Sequence, residues 1–514
     1  MSSGFSRRSF LRAAGGSALG MLGAGMLASC ASSHPSYILA SDQEVRAAEA
    51  ARAFSGTTVH RRLTAEQELI TLEPGKHMNT WGFRGEEALA ALGPTITASK
   101  NDRLLVEVDN RLTQETSVHW HGLRIRNDMD GAPPDTQAAI EPSESFTYDF
   151  LLPDHGTYWY HSHTGVQADR SMFGALVVEN PQDESGADVD HVLVLDDWLL
   201  ERTTPEEVLA ALGAVTEGGH DHGAPVDDGS FATPAARELV EQGMGHSAML
   251  GGPSQHLAYP THLINGRPVS DPDRLEASPG AAVRLRVINA SAETPYRIAL
   301  AGHRVKVIAT DGFDAEPFET DAVLIAPAQR VDLLVRLRSG AWPFVARVEG
   351  REGAGLAVLA TSDAVGETPR GHEATRLAEL DRTVATDSDL RPAPESVLDE
   401  RDPDLVWRLD LIELPDTYVW GIAGDDATSM RPREGDRVRI ELTNETSMWH
   451  PMHLHGHTFA SRTHNGLRRD TEIVLPGETA VLDFEATNPG RWMIHCHNAY
   501  HFVAGMTAPI RYVR

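Results

Sequence analysis

Three stretches of this chain alternate apolar and polar side chains and end on asparagine: Arg103–Asn110, Ala282–Asn289 and Arg437–Asn444. A period of two places every second side chain on one face, so each stretch predicts a half-buried β-strand. The segments after these strands repeat too. His119 and His121 stand nine and eleven residues after Asn110, and His453 and His455 stand at the same offsets from Asn444. The middle copy has Ile298 and Leu300 there, and Gly122 and Gly456 come directly after the outer pairs. Further on, Gly156 leads in five residues to His161-Ser162-His163 and Gly490 to His495-Cys496-His497, whereas Gly340 leads to Val345-Ala346-Arg347.

The fold class predicted is all-β, three homologous β-sandwich or barrel units at 56–182, 183–370 and 399–514. Residues 30–55 read as a tether and 371–398 as an acidic, proline-containing linker. An insertion at about 202–256 interrupts the second unit. It carries two short helices opened by Thr204-Pro205 and Thr233-Pro234, with threonine as cap and proline in the first turn. His220-Asp221-His222, Met244, His246 and Met249 lie in it, either as a polar loop or as a labile copper site.

Composition narrows the function. Among 514 residues, 45 are basic and 74 acidic, a formal net charge of -29, which disfavours nucleic acid as a partner. The N-terminus has Arg7-Arg8 ahead of a short Gly/Ala-rich apolar run, 1–29, which reads as a targeting signal. The paired arginines resemble a twin-arginine signal, which exports folded protein. Leu27-Ala28-Ser29-Cys30 resembles a bacterial lipobox, which implies envelope or periplasmic placement with a membrane anchor on Cys30. Removal of 1–29 takes away three arginines and no acid, moving the net charge from -29 to about -32. With only Cys30 and Cys496, a disulfide framework and CxxC metal sites are excluded.

Residues i and i+2 of a strand share a face, so each His-x-His offers two imidazoles to one metal region. Four such pairs at matched offsets are more than one zinc requires, and predict a cluster between the first and third units. Cys496 with His450, His501 and Met506 makes a blue-copper ligand set. The first unit has Ser162 and Gln167 in place of Cys496 and His501, and its Met172 reads as core.

Together, His119-Trp120-His121-Gly122, His161-Ser162-His163, His450-Pro451-Met452-His453-Leu454-His455 and His495-Cys496-His497…His501…Met506 resemble the four signatures of the multicopper oxidases. The resemblance implies three cupredoxin-like Greek-key domains and four copper ions as cofactors. Type 1 copper would take His450, Cys496, His501 and Met506; type 2 His119 and His453; the type 3 pair His121, His161, His163, His455, His495 and His497. His495, Cys496 and His497 would carry electrons to the site of dioxygen reduction. Asp130 resembles the carboxylate that delivers protons there. Some relatives have a glutamate directly after the third-motif histidine; Phe502 stands here, which leaves a second relay unassigned.

The same features resemble exported copper-tolerance oxidases, which implies oxidation of cuprous and ferrous ions with side activity on phenols. The rival readings are a laccase acting on phenols or aromatic amines, and, more remotely, a non-enzymatic envelope copper-binding protein or a nitrite reductase. A monomer is expected.

Overall fold

The computed structural model describes residues 36–73, 76–85, 92–199, 203–213, 232–366, 368–415 and 417–514. Arg7-Arg8, Cys30 and His220-Asp221-His222 lie outside them.

All three alternating stretches are strands with the expected bounds, Arg103–Asn110, Ala282–Asn289 and Arg437–Asn444. Each runs parallel to the strand that opens its unit, Thr58–Glu73, Val189–Trp198 or Leu405–Glu413. On its other side each lies antiparallel to Ser145–Leu151, Arg330–Arg336 or Thr479–Glu485. A second sheet faces each of these and carries Gly156–His161, Ala341–Val348 or Arg491–Cys496. The chain is thus all-β, in three two-sheet units.

The repeated asparagine turns the chain from one sheet towards the other. Its side-chain amide donates to two carbonyls: Gln114 and Ile140 from Asn110, Thr294 and Ile325 from Asn289, Met448 and Val474 from Asn444. Its Oδ1 accepts the N–H two residues on, at Leu112, Ser291 or Thr446. This local turn chemistry is what asparagine supplies and leucine or valine cannot. In the outer units it fixes where the following histidine strand begins.

Outer strands bury one face, through Leu104, Val106 and Val108 and through Val438, Ile440 and Leu442. The middle strand departs from the half-buried expectation, because Arg284 and Arg286 on its polar face are buried as well. Both pair with Asp332, and Arg286 also donates to Thr157 of the first unit at 3.0 Å. That polar face is an interface between units.

The expected insertion helices are Pro205–Ala211 and Pro234–Glu241, capped by the Thr204 and Thr233 hydroxyls. Two other expectations need correction. From Tyr37 onward the 30–55 segment is docked, not a free tether. Ile38 donates to the Tyr512 carbonyl, Arg514 pairs with Asp42 and Glu44, and helix Gln43–Ala50 buries Val45. The 371–398 linker is held down by buried Leu380 and Leu390, and its strand Val384–Ala385 extends a middle-unit sheet. Among the described residues no helix is long and apolar enough to cross a membrane.

Replacing Asn289 by alanine takes the amide donor from the buried Thr294 and Ile325 carbonyls in the unit that contributes no ligand to either site. Expected is a loss of about 3 kcal/mol, read as a thermal midpoint lower by several degrees in calorimetry with copper content unchanged.

Candidate metal centre

Strand His450–Leu454 lies beside Arg491–Cys496 with Met452 opposite Cys496, which brings His450 and Cys496 together. Helix Ala499–Val503 adds His501; Asn498 caps it by accepting the Tyr500 and His501 amides. His450 Nδ1 and His501 Nδ1 are 3.2 Å apart and each lies 3.7 Å from Cys496 Sγ. His450 Nε2–H donates to Thr446 Oγ1 at 2.7 Å, which leaves Nδ1 a lone pair towards the sulfur. Met506 is fully buried, and its carbonyl accepts the Cys496 N–H. Burial lowers His450 to about 3 and pushes the Cys496 thiol up. In so dry a pocket only a bound cation would keep the sulfur as thiolate. The equivalent place in the first unit is closed by hydrogen bonds from Thr116 and Ser162 to Gln167 Oε1, and Met172 is core.

The eight remaining histidines form one buried cluster across the first and third units. Within the four His-x-His pairs the ring centroids are 5.7, 6.1, 4.9 and 5.6 Å apart. Across the units His119 lies 4.1 Å from His455, His121 3.8 Å from His453 and His163 5.4 Å from His495. Strands Gly156–His161 and Arg491–Cys496 end as the chain reaches the cluster, so His163 and His497 enter from the segments just beyond.

Most of the rings are oriented through one nitrogen. His119 donates from Nδ1 to the Asp130 carbonyl, His161 to Ser162, His453 to Asp470 and His495 to Cys496, at 2.8–3.0 Å. The opposite nitrogen of His119, His161 and His453 is buried without a partner, as are His121 Nδ1, both His163 nitrogens and His497 Nε2. Burial lowers His121, His161, His163, His455, His495 and His497 well below the ordinary range, which keeps them neutral. Orphaned, neutral, converging lone pairs are a donor set that fits metal ions.

Two carboxylates flank the cluster. Asp130 Oδ2 accepts from His455 Nδ1 at 2.9 Å, while Oδ1 has no hydrogen bond. Asp470 Oδ1 lies 3.1 Å from His121 Nε2. Burial pushes Asp470 up, but Arg330, at 2.6 and 2.9 Å, overrides this and holds it well below the usual carboxylate range. Gly122 is required here: its φ is +84°, and a Cβ would stand 2.4 Å from Arg330 Nη2.

The structure brings together all ten histidines of the four motifs and Cys496 in these two sites, whereas His246 of the insertion is exposed and apart from them. Sequence reasoning missed Asp470, Arg330, His256 and Glu293, and no spacing signals them. His457 and His464, which match no ligand position in the motifs, bond instead to Tyr512 and Glu472. Phe502 packs on the His163 and His495 rings at 5.0 and 4.6 Å, so an apolar side chain covers the cluster at the position of the missing second relay.

Multicopper oxidase family models match residues 65–183, 236–364 and 419–513. Multicopper oxidase MmcO of Mycobacterium tuberculosis is 37% identical, over 99% of this chain and 97% of that protein. Copper resistance protein A of Escherichia coli is 28% identical, over 82% and 87%. The crystal structure of Fet3p, described as a multicopper oxidase that functions in iron import, superposes with a TM-score of 0.69 at 20% identity, covering 89% of this chain and 90% of that one. The metal that fits these donors is therefore copper, and the chain belongs to the multicopper oxidase family, as an oxidoreductase.

Proposed function

We propose that this enzyme oxidises cuprous, and also ferrous, ions at the expense of dioxygen, held at the cell envelope through Cys30. His450, Cys496, His501 and Met506 would hold type 1 copper. His119 and His453 would hold type 2; His163, His455 and His495 would hold one type 3 ion, and His121, His161 and His497 the other. Bound copper supplies four one-electron oxidations coupled to reduction of one dioxygen to two waters.

The chain's own residues do the rest. Cys496 joins the two sites covalently, since His495 and His497 are its neighbours, and its carbonyl accepts the His495 N–H at 2.8 Å. Electron transfer therefore needs only the thiolate, a few backbone bonds and that hydrogen bond. The two carboxylates divide the remaining work. Asp470 is locked by Arg330 and serves to orient His121 and His453. Among the described residues Asp130 has no guanidinium partner, and its Oδ1 makes no hydrogen bond, with His119 Nδ1 3.4 Å away, so it is the carboxylate assigned to proton delivery beside the cluster.

One observation carries the choice of substrate. His501 has no exposed surface; it is covered by His256, Trp420 and Tyr418, at ring-centroid distances of 5.4, 4.1 and 5.8 Å. A phenol ring has no room against His501, whereas a metal ion can pass an electron through a side chain that binds it. The acid excess favours cations in the same direction.

Steady-state oxygen uptake with cuprous ion, ferrous ion and a dimethoxyphenol should rank the metal ions first. Negligible metal-ion oxidation beside fast phenol turnover would establish a laccase instead, and absence of uptake with four coppers bound would refute an enzyme. Asp130→Asn should slow reoxidation by dioxygen about a hundredfold in stopped flow, with blue absorption and copper content retained. Met506→Leu removes the weak thioether and should raise the type 1 potential in a redox titration.

A further inference from the structure

The insertion ends on His256, and this imidazole is placed between solvent and the buried His501. Its Nδ1 lies 3.4 Å from His501 Nε2 and 3.2 Å from Glu293 Oε1, and its side chain is 17% exposed. Glu293 is wholly buried and holds this arrangement from four sides. Its carboxylate accepts the His256 and Leu257 amides, the His256 Nδ1–H and the Asn498 side chain. Asn498 is also the cap of the helix that carries His501. The insertion is fixed to the third unit by the Trp449 indole, which donates to the Ser254 carbonyl at 3.0 Å.

A histidine whose Nδ1–H is taken by a carboxylate has its lone pair on Nε2, the orientation that makes imidazole a metal ligand. Among the described residues no hydrogen bond reaches His256 Nε2. Tyr418 and Trp420 line the inner side of this imidazole, with ring centroids 5.4 and 5.8 Å from that of His256. A partly exposed imidazole with one nitrogen held by a buried carboxylate and the other unbonded is a ligand available to solvent ions.

Building on the metal-ion reading above, we propose that His256 Nε2 is the docking ligand for the cuprous substrate, and that its imidazole passes the electron on to His501. The bound cuprous ion loses one electron across the 3.4 Å contact to the type 1 site and leaves as cupric ion. Glu293 is a positioning residue, keeping the lone pair outward and the ring against His501. The insertion thereby selects small cations over ring-shaped reductants.

The test uses the copper-loaded protein under anaerobic conditions and follows bleaching of the blue absorption by cuprous or ferrous ion in stopped flow. Silver ion, a redox-silent stand-in for cuprous ion, is titrated calorimetrically alongside. Expected for His256→Ala, with blue absorption intact, is bleaching at least tenfold slower and one fewer silver ion bound. His256→Met, which supplies a soft thioether, should recover the cuprous rate more than the ferrous rate. Fast bleaching in the native protein that is unchanged in His256→Ala, or an unchanged silver stoichiometry, overturns the docking role alone. Native protein that both metal ions fail to bleach overturns the substrate reading on which it rests.

Discussion

Arg330 is the contact on which the architecture of the centre depends. It comes from the middle unit, which contributes no ligand to either copper site, and it is fully buried. Its guanidinium donates to the Thr157 carbonyl of the first unit, to Ala328 of its own unit and to Asp470 of the third. A buried ion pair helps only when its remaining donors and acceptors are matched, because desolvation otherwise exceeds the attraction. Here Asp311 completes the set, accepting the Arg330, Asp470 and Thr471 amides. The unit that lacks the histidines therefore supplies the cation that keeps a carboxylate ionised between His121 and His453.

The same economy governs the imidazoles. Backbone carbonyls or carboxylates occupy one nitrogen of most rings, so the lone pair of the other is aimed into the cluster. Burial keeps the rings neutral, and neutrality lets eight of them share one small volume without mutual repulsion. Asp130 and Asp470 differ in environment more than in position: one has no guanidinium beside it and the other is clamped. That difference divides proton handling from ligand orientation.

Much of this was legible in the sequence, because strands, turn asparagines and His-x-His pairs are local patterns. Asn110, Asn289 and Asn444 marked the three units, and matched offsets from Asn110 and Asn444, and from Gly156 and Gly490, located the cluster histidines. The unread residues act across units. Asp470 looks like any polar residue near a strand end until His121, 349 positions away, is folded against it. Arg284 and Arg286 alternate as a solvent-facing edge would, yet the first unit covers them. Glu293 and His256 matter through contacts with each other and with His501, which no periodicity encodes. The docked 37–51 segment and the strand inside the linker depended on a few apolar residues, Ile38, Val45, Val384 and Ala385, whose partners lie elsewhere in the chain.

The aimed nitrogens also tie copper binding to the fold of the whole chain. In a zinc finger, metal binding supplies the folding energy and the apo chain is unfolded. Here the donors of a single cluster come from opposite ends of the chain: His119, His161, His453 and His495 are oriented by carbonyls of their own units, while His121 and His455 are oriented by carboxylates of the facing unit. The complete donor set therefore exists only where the first and third units meet, a contact that Arg330 of the middle unit secures from both sides. Copper binding here is a property of the whole fold, so a change at the Arg330–Asp470 contact, which involves no metal ligand, reaches every ion of the cluster.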